Sequence, residues 1–215
     1  MATPFFVKDC ALAVIATGES AESLIQLKEA LARVPTSSIY YHFWGGRLRS
    51  EFAHPEFHND FALWTHIHLH DNILSEKLGI LDPIEYANLD DLRRTIIDLI
   101  EDRLEEIEYI LWSQRESRFH FLRSSIIIFD TPIKASHPSE LKGIIPNLTS
   151  NSIFYHFIDA RTRTKDGTDD FTTWLLNFKD DFPELIAKIR QIDPYFLSLT
   201  EIRQRLSELL NEHFS

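Results

Sequence analysis

Several residue types are scarce in this chain, and each scarcity excludes a class of protein. Cys10 is the only cysteine among 215 residues. No intramolecular disulfide can therefore form, which fits a reducing cytoplasm. The longest apolar runs, 10–16 and 126–129, are far too short to span a bilayer. The first residues also lack the basic start and long apolar stretch of a secretory signal. We therefore expect a soluble, cytoplasmic protein without a membrane partner.

Glycine and basic residues are scarce as well. The chain has six glycines, and their placement forms neither a phosphate-binding loop nor a dinucleotide fingerprint. The formal net charge is −11, whereas a nucleic-acid surface needs clustered Lys and Arg. We predict no nucleic-acid partner. The hydrophobic content of 44% is sufficient to bury a sizeable core.

One sequence pattern occurs twice. Residues 35–43 read PTSSIYYHF, and residues 146–157 read PNLTSNSIFYHF. Further residues match downstream at nearly constant spacing: Arg47 with Arg161, Arg49 with Arg163, Asp60 with Asp170, Trp64 with Trp174 and Leu92 with Ile202. Similarity of this length indicates a duplicated unit whose copies bury their apolar faces together. We predict one pseudo-symmetric domain, 1–215, with a first repeat at 5–109 and a second at 118–215.

Each predicted repeat begins with a strand and continues as helices. The runs 10–16 and 119–129 are rich in β-branched and aromatic residues, with Lys8 and Arg123 at matching positions near their starts. Ser38 and Ser152 are candidate N-caps of two short helices that carry the Tyr-His-Phe triplet. Residues 57–78 read as one helix. The sequence predicts a mainly helical α+β fold, internally duplicated, with a short strand and several helices in each half.

These motifs carry a resemblance to a known family. The segments Ser38-Ile-Tyr-Tyr-His-Phe-Trp, Asn59-Asp-Phe-Ala and Ser152-Ile-Phe-Tyr-His-Phe resemble an uncharacterised bacterial family that is known only as a domain of unknown function. The resemblance covers nearly the whole chain. It implies no established activity, cofactor or catalytic residue.

A second resemblance concerns DNA binding. Residues 34–48 resemble the recognition helix of TetR-type repressors, which often reads Tyr-x-His-Phe. In those proteins the helix lies near the N-terminus with basic residues beside it. Here the triplet occurs twice, in mid-chain and in an acidic protein. We therefore do not expect TetR-like DNA binding.

The retained aromatic, histidine and arginine residues admit two interpretations. They form a buried polar network that stabilises each repeat, or they line a cleft between the repeats that holds a small anionic or sugar-like ligand. The residues of that candidate ligand site are Tyr41, His42, Trp44, Arg47, Tyr155, His156 and Arg161.

A second cluster is present in one repeat only. Five of the ten histidines, His54, His58, His66, His68 and His70, precede Asp71 within one short stretch. If this stretch is helical, His66 and His70 share a face, and with Asp71 they could bind a divalent metal. Histidines at this spacing are nevertheless more often solvated than ligated.

Two functions follow from these patterns. The preferred prediction is a non-catalytic binding or regulatory protein that holds a small-molecule ligand or a protein partner at the interface between its repeats, without a cofactor. The alternative is a metal-assisted, hydrolase-like enzyme that uses His66, His70 and a carboxylate. The sequence leaves the catalytic residues, if any, and the oligomeric state undetermined.

Overall fold

The fold is α+β and mainly helical, with one two-stranded antiparallel sheet. The structure, a computed structural model, describes residues 3–48, 57–109, 111–164, 166–178 and 181–214. The predicted fold class is confirmed at this level. The internal duplication stays a prediction.

Two long strands each precede a set of helices. The strands are β1 (Phe5–Ala21) and β2 (Phe119–Ala135). The helices after β1 are α1 (Leu24–Arg33), α2 (Thr36–Trp44), α3 (Asp60–Leu69), α4 (Asn72–Gly79) and α5 (Leu89–Glu106). The helices after β2 are α6 (Leu141–Ile144), α7 (Ser150–Ile153), α8 (Ala160–Arg163), α9 (Asp170–Leu175), α10 (Pro183–Arg190) and α11 (Leu199–His213). A π-helical turn, Phe154–Asp159, lies between α7 and α8.

The chain divides into two compact units. The N-terminal unit is Leu12–Ser125, and the C-terminal unit is Ile126–Ser215 together with Met1–Ala11. Each strand therefore contributes residues to both units. A single domain of 1–215 stays a prediction.

Both strands are longer than the sequence predicts, at 17 residues each. The predicted run 10–16 ends just before Thr17 and Gly18, whereas in the structure Thr17 lies in β1 and its Oγ1 donates to the carbonyl of Phe121 at 2.8 Å. In the C-terminal unit, Thr131 Oγ1 donates to the carbonyl of Val7 at 2.7 Å. Hydrogen bonds across the sheet thus outweigh the local turn propensity of these residues.

In the N-terminal unit, α1 packs against α5. Ser23 caps α1 by accepting a hydrogen bond from the backbone N–H of Gln26. The buried stripe of α1 is Leu24, Leu27, Ala30 and Leu31. Asn88 caps α5 in the same way, and Leu92, Ile96 and Ile100 form its buried stripe. Both helices follow from apolar residues spaced at the helical period.

In the C-terminal unit, α11 packs against α6, α7 and α10. Ser198 and Glu201 form a capping box at the start of α11. Its buried residues are Leu199, Ile202, Leu206 and Leu210. Pro183 is the first residue of α10, a position at which its missing N–H is tolerated. Helix α9 already ends at Leu175.

The single helix expected over 57–78 is wrong. Helix α3 ends at Leu69, and His70 adopts a left-handed conformation with φ of 55°. The side chain of buried Asp71 then accepts from the backbone N–H of Leu74 and starts α4. The apolar stripe continues through the break because α3 and α4 pack against each other. A stripe alone therefore does not reveal the break.

The break at His70 leads to a stability prediction. A residue with a Cβ pays a steric cost in the left-handed region, whereas glycine does not. His70→Gly is expected to raise the free energy of unfolding by about 0.5–1 kcal/mol. Urea denaturation followed by circular dichroism measures the change.

His70→Ala serves as the control, because it removes the imidazole and retains the Cβ. We expect it to show no comparable gain. Equal stabilisation by both variants would mean that the imidazole, rather than the backbone conformation, is the source of the cost.

Candidate functional site

In the C-terminal unit, His156 joins a strand to a helix. The backbone N–H of Lys8 on β1 donates to Nε2 of His156 at 2.8 Å. On the other side of the ring, Nδ1 lies 2.8 Å from Oδ2 of Asp170 in the first turn of α9. The His156 side chain is 3% exposed. One imidazole thus connects three separate segments of the unit.

The N-terminal unit contains the same arrangement around His42. The backbone N–H of Leu122 on β2 donates to Nε2 of His42 at 3.0 Å. Nδ1 lies 2.8 Å from Oδ2 of Asp60 in the first turn of α3. The tryptophans match too: Trp64 Nε1 donates to the carbonyl of Ser117, and Trp174 Nε1 to that of Thr3, both at 2.7 Å.

These contacts determine which nitrogen of each imidazole carries the proton. Because Nε2 accepts a backbone N–H, it carries no proton, and Nδ1 of the neutral ring must be the donor to the aspartate. A His–Asp pair could act as a general base only with Nε2 directed at a substrate. Here Nε2 is occupied by the strand in both units. The histidines act as structural clamps, and we call each His–Asp–strand contact a histidine clamp.

Two sequence expectations near the clamps are wrong in detail. Ser38 does not cap α2, since its hydroxyl donates to the carbonyl of Leu122 at 2.7 Å. Thr149, rather than Ser152, caps α7, because its Oγ1 accepts from the backbone N–H of Ser152. Lys8 corresponds to Leu122 in its contact with histidine, not to Arg123.

The C-terminal clamp is surrounded by further charges. Arg163 Nη2 donates to Asp170 Oδ2 at 3.2 Å and to the carbonyl of Tyr155 at 2.9 Å, while its Nε donates to Asp159 at 2.9 Å. The guanidinium carbon lies 4.1 Å from the centroid of the Tyr155 ring. Burial raises the pKa of Tyr155, and the charge of Arg163 opposes that rise. Sequence reasoning matched Arg163 with Arg49 but did not place it in the site.

A pocket of about 290 Å³ adjoins this clamp within the C-terminal unit. Its aromatic lining comes from Phe5, Phe6, Tyr155 and Trp174. Its polar lining comes from Lys8, His156, Asp170, Thr173 and Asn177. Tyr155 and His156 are thus the predicted ligand residues that line a pocket here. The others were missed, although the matches of Lys8 with Arg123, Asp170 with Asp60 and Trp174 with Trp64 were signals for three of them.

Apart from His42, which forms the clamp of the N-terminal unit, the remaining predicted ligand residues lie elsewhere in their units. Tyr41, Trp44 and Arg47 are buried in the N-terminal unit, where the Arg47 guanidinium lies 5.2 Å from the Trp44 ring centroid. Arg161 lies in the C-terminal unit, and its Nε donates to the carbonyl of Phe157 at 3.1 Å. A ligand role for these four stays a prediction. Arg49 lies outside the described residues.

The predicted metal residues do not share one helical face, because α3 ends before His70. His66 is in α3 with its ring centroid 4.8 Å from that of Phe57, His70 is exposed, and Asp71 is buried. Within the described parts of the chain, no three His, Cys, Asp or Glu side chains are grouped as a metal site requires. His54 lies outside them. Metal binding stays a prediction, without the helical spacing that suggested it.

The chain can now be compared with known proteins. The model of a family of unknown function, DUF5752, matches residues 2–211. The chain belongs to the DUF5752 family. A bacterial origin stays a prediction. The structure of OrfY from Thermoproteus tenax is similar to this DUF5752 protein, with a TM-score of 0.83 and 24% identity over 98% of this chain and 95% of the other. That similarity concerns the fold. Comparison with functionally curated proteins finds no match.

Across the described residues of this DUF5752 protein, no helix is both long and apolar enough to cross a membrane. The absence of a membrane partner stays a prediction. The cytoplasmic location stays a prediction.

The histidine clamps lead to a second testable prediction. His42→Ala leaves the N–H of Leu122 and one oxygen of Asp60 without the imidazole in a half-buried site. A polar group left unsatisfied away from water costs about 1–3 kcal/mol. We expect His42→Ala to lose about 3 kcal/mol of unfolding free energy once lost packing is included. Amide hydrogen exchange should show faster exchange at Leu122.

His120→Ala is the matched control, because His120 lies on β2 in the same unit and is exposed. Its stability should change by no more than about 0.5 kcal/mol. If His42→Ala is as stable as His120→Ala and the Leu122 amide stays protected, the clamp does not stabilise the unit.

Cys10 gives a third prediction. The thiol is 2% exposed, and its Sγ lies 3.3 Å from the carbonyl oxygen of Asn151. Burial, followed by the charges of Asp9 and Asp159, raises the pKa of Cys10 from 9.0 to about 12. The native protein should therefore react with a thiol reagent at pH 8 far more slowly than the urea-unfolded chain.

The raised pKa also predicts how stability depends on pH. Between about pH 9 and 12 the unfolded chain loses the Cys10 proton while the folded chain retains it, so stability falls as pH rises. Cys10→Ala should show a smaller fall from pH 8 to pH 10.5 in urea titrations. Rapid labelling of the native thiol, or identical falls in both proteins, would contradict the assignment.

Proposed function

We propose that this protein is a non-catalytic binding protein that holds a small sugar-like ligand in the pocket of its C-terminal unit. The observation that carries the proposal is the pocket beside a histidine whose reactive nitrogen is already occupied. Nε2 of His156 accepts the N–H of Lys8 at 2.8 Å, so the His–Asp pair is not available as a general base. The lining of the pocket can therefore bind a ligand, whereas the His156 ring beside it cannot act as a base on that ligand.

The lining of the pocket suits a polyhydroxylated ligand. Phe6 is an aromatic side chain that remains 51% exposed, and an exposed ring offers its face to the C–H surface of a sugar. Both described hydrogen bonds to the Asp170 carboxylate use Oδ2, which leaves Oδ1 able to accept from a hydroxyl group. Asn177 and Thr173 add further polar atoms.

The charges of the pocket favour a neutral ligand over an anion. Lys8 is a cation in the lining, but it forms an ion pair with Asp130. Arg163 is neutralised by Asp159 and Asp170. Since each cation has a carboxylate partner, an anion would gain little attraction. A small anionic ligand is the outcome that the experiment below distinguishes.

We further propose that the two units arose from one duplicated sequence. The support is the repeated set of contacts: a strand N–H to a histidine, that histidine to a first-turn aspartate, and a tryptophan to a backbone carbonyl. Copies of one ancestral unit explain this agreement better than chance. A binding cleft or protein partner at the interface between the repeats stays a separate prediction.

The proposed function is tested by ligand-observed NMR with glucose and glucose 6-phosphate as probes. Glucose is expected to bind saturably, and Phe6→Ala is expected to weaken its binding at least fivefold because the stacking face is lost. Asn177→Ala should weaken binding in the same direction.

Phe196→Ala is the matched control. Phe196 is 48% exposed in the same unit and does not line the pocket, so its removal should leave glucose binding unchanged. If glucose 6-phosphate binds more tightly than glucose, the ligand of this pocket is anionic rather than neutral. Absence of binding by either probe, or equal binding in the two phenylalanine variants, would refute the proposed site.

A further inference from the structure

A second and larger pocket lies within the N-terminal unit, where α4 begins and α5 ends. Its volume is about 480 Å³, which is within the usual range of small-molecule sites. Six of the lining residues matter for its chemistry: Asp71, Ile73, Arg103, Glu106, Glu108 and Tyr109. None of them belongs to the histidine clamp of this unit.

One side of the pocket is formed by a fixed guanidinium group. Arg103 Nε donates to Asp71 Oδ2 at 2.8 Å, and Nη1 donates to Glu106 Oε2 at 2.9 Å. The Asp71 side chain is completely buried, and that of Arg103 is 15% exposed. Two carboxylates thus hold the planar group in one orientation, with little freedom left to lose on binding a ligand.

The third nitrogen of Arg103 is still available. In the parts of the chain that the structure describes, the hydrogen bonds of Arg103 involve Nε and Nη1. Nη2 therefore retains donors for an acceptor oxygen in the pocket. The hydrogen bond with Asp71 is the main cause that raises the pKa of Arg103, so these donors persist at every accessible pH.

The surrounding charges indicate an uncharged acceptor. The charge of Arg103 is already compensated by Asp71 and Glu106. Glu108, which also lines the pocket and is exposed, adds a further negative charge. An anionic ligand would be repelled by this exposed carboxylate, whereas an uncharged carbonyl oxygen would accept from Arg103 without that repulsion.

The apolar lining indicates a ring. Tyr109 is 73% exposed and Ile73 is 50% exposed, and both line the pocket. Large apolar side chains next to an oriented donor are the usual composition of a small-molecule site. An aromatic ring against Tyr109 would bury apolar surface that is now in contact with water.

We propose that this pocket binds a small, uncharged ring molecule that carries a carbonyl group. The carbonyl oxygen accepts from Nη2 of Arg103, and the ring contacts Tyr109 and Ile73. This site is independent of the proposed sugar-like site, because it uses other residues in the other unit.

Nicotinamide and nicotinate are suitable probes, since they share one ring and differ by one charge. NMR titration of the full-length protein should show saturable binding of nicotinamide with a dissociation constant on the order of 1 mM. The Arg103 guanidinium resonances should shift during the titration. Nicotinate should bind at least fivefold more weakly.

Tyr109→Ala removes the aromatic face and is expected to weaken nicotinamide binding at least fivefold. Because the side chain is largely exposed, the variant should fold. Trp112→Ala is the matched control: Trp112 is 58% exposed in the same unit and does not line the pocket, so binding should match the wild type. The proposal is overturned if nicotinamide does not saturate, if nicotinate binds equally well, or if the two aromatic variants bind alike.

Discussion

The structure of each unit depends on one interaction, the hydrogen bond from a strand N–H to the Nε2 of a buried histidine. A strand at the edge of a two-stranded sheet has backbone groups that no neighbouring strand satisfies. In the N-terminal unit, Leu122 directs its N–H to His42 and its carbonyl to Ser38, so one turn of α2 takes the place of a third strand. The aspartate at Nδ1 holds the ring in the tautomer that can accept this bond.

The two histidine clamps make the same contacts but lie in different types of helix. His42 lies in the regular helix α2, whereas His156 lies in the π-helical turn Phe154–Asp159. A π turn widens the backbone locally and is frequent at functional sites. In the C-terminal unit this turn coincides with the Arg163–Asp159–Asp170 network and the pocket next to it. A shared clamp whose surroundings differ between the units is the pattern that a common scaffold with unit-specific pockets would show.

The sequence predicted the element types because burial periodicity controls them. The buried stripes of α1, α5 and α11 are visible in the sequence as leucines and isoleucines at helical spacing, and Pro183 marks the start of α10. The strand ends were not readable, since they depend on cross-strand bonds such as that of Thr17 with Phe121. The break at His70 was also not visible in the sequence. Helices α3 and α4 pack against each other, so apolar residues keep the helical spacing on both sides of the break.

The candidate site was predictable only in part, because the sequence does not show which group each imidazole nitrogen contacts. Repetition identified His156, Tyr155 and Asp170 as residues that act together. It could not show that Nε2 faces a backbone N–H rather than a ligand, because that depends on where Lys8 lies in three dimensions. Phe6 and Asn177 are not among the residues that the repeat matches in the sequence, so repetition carried no information about them. Residues shared by the two units report what holds each unit together, and the residues that differ are those in which a specific binding function must be sought.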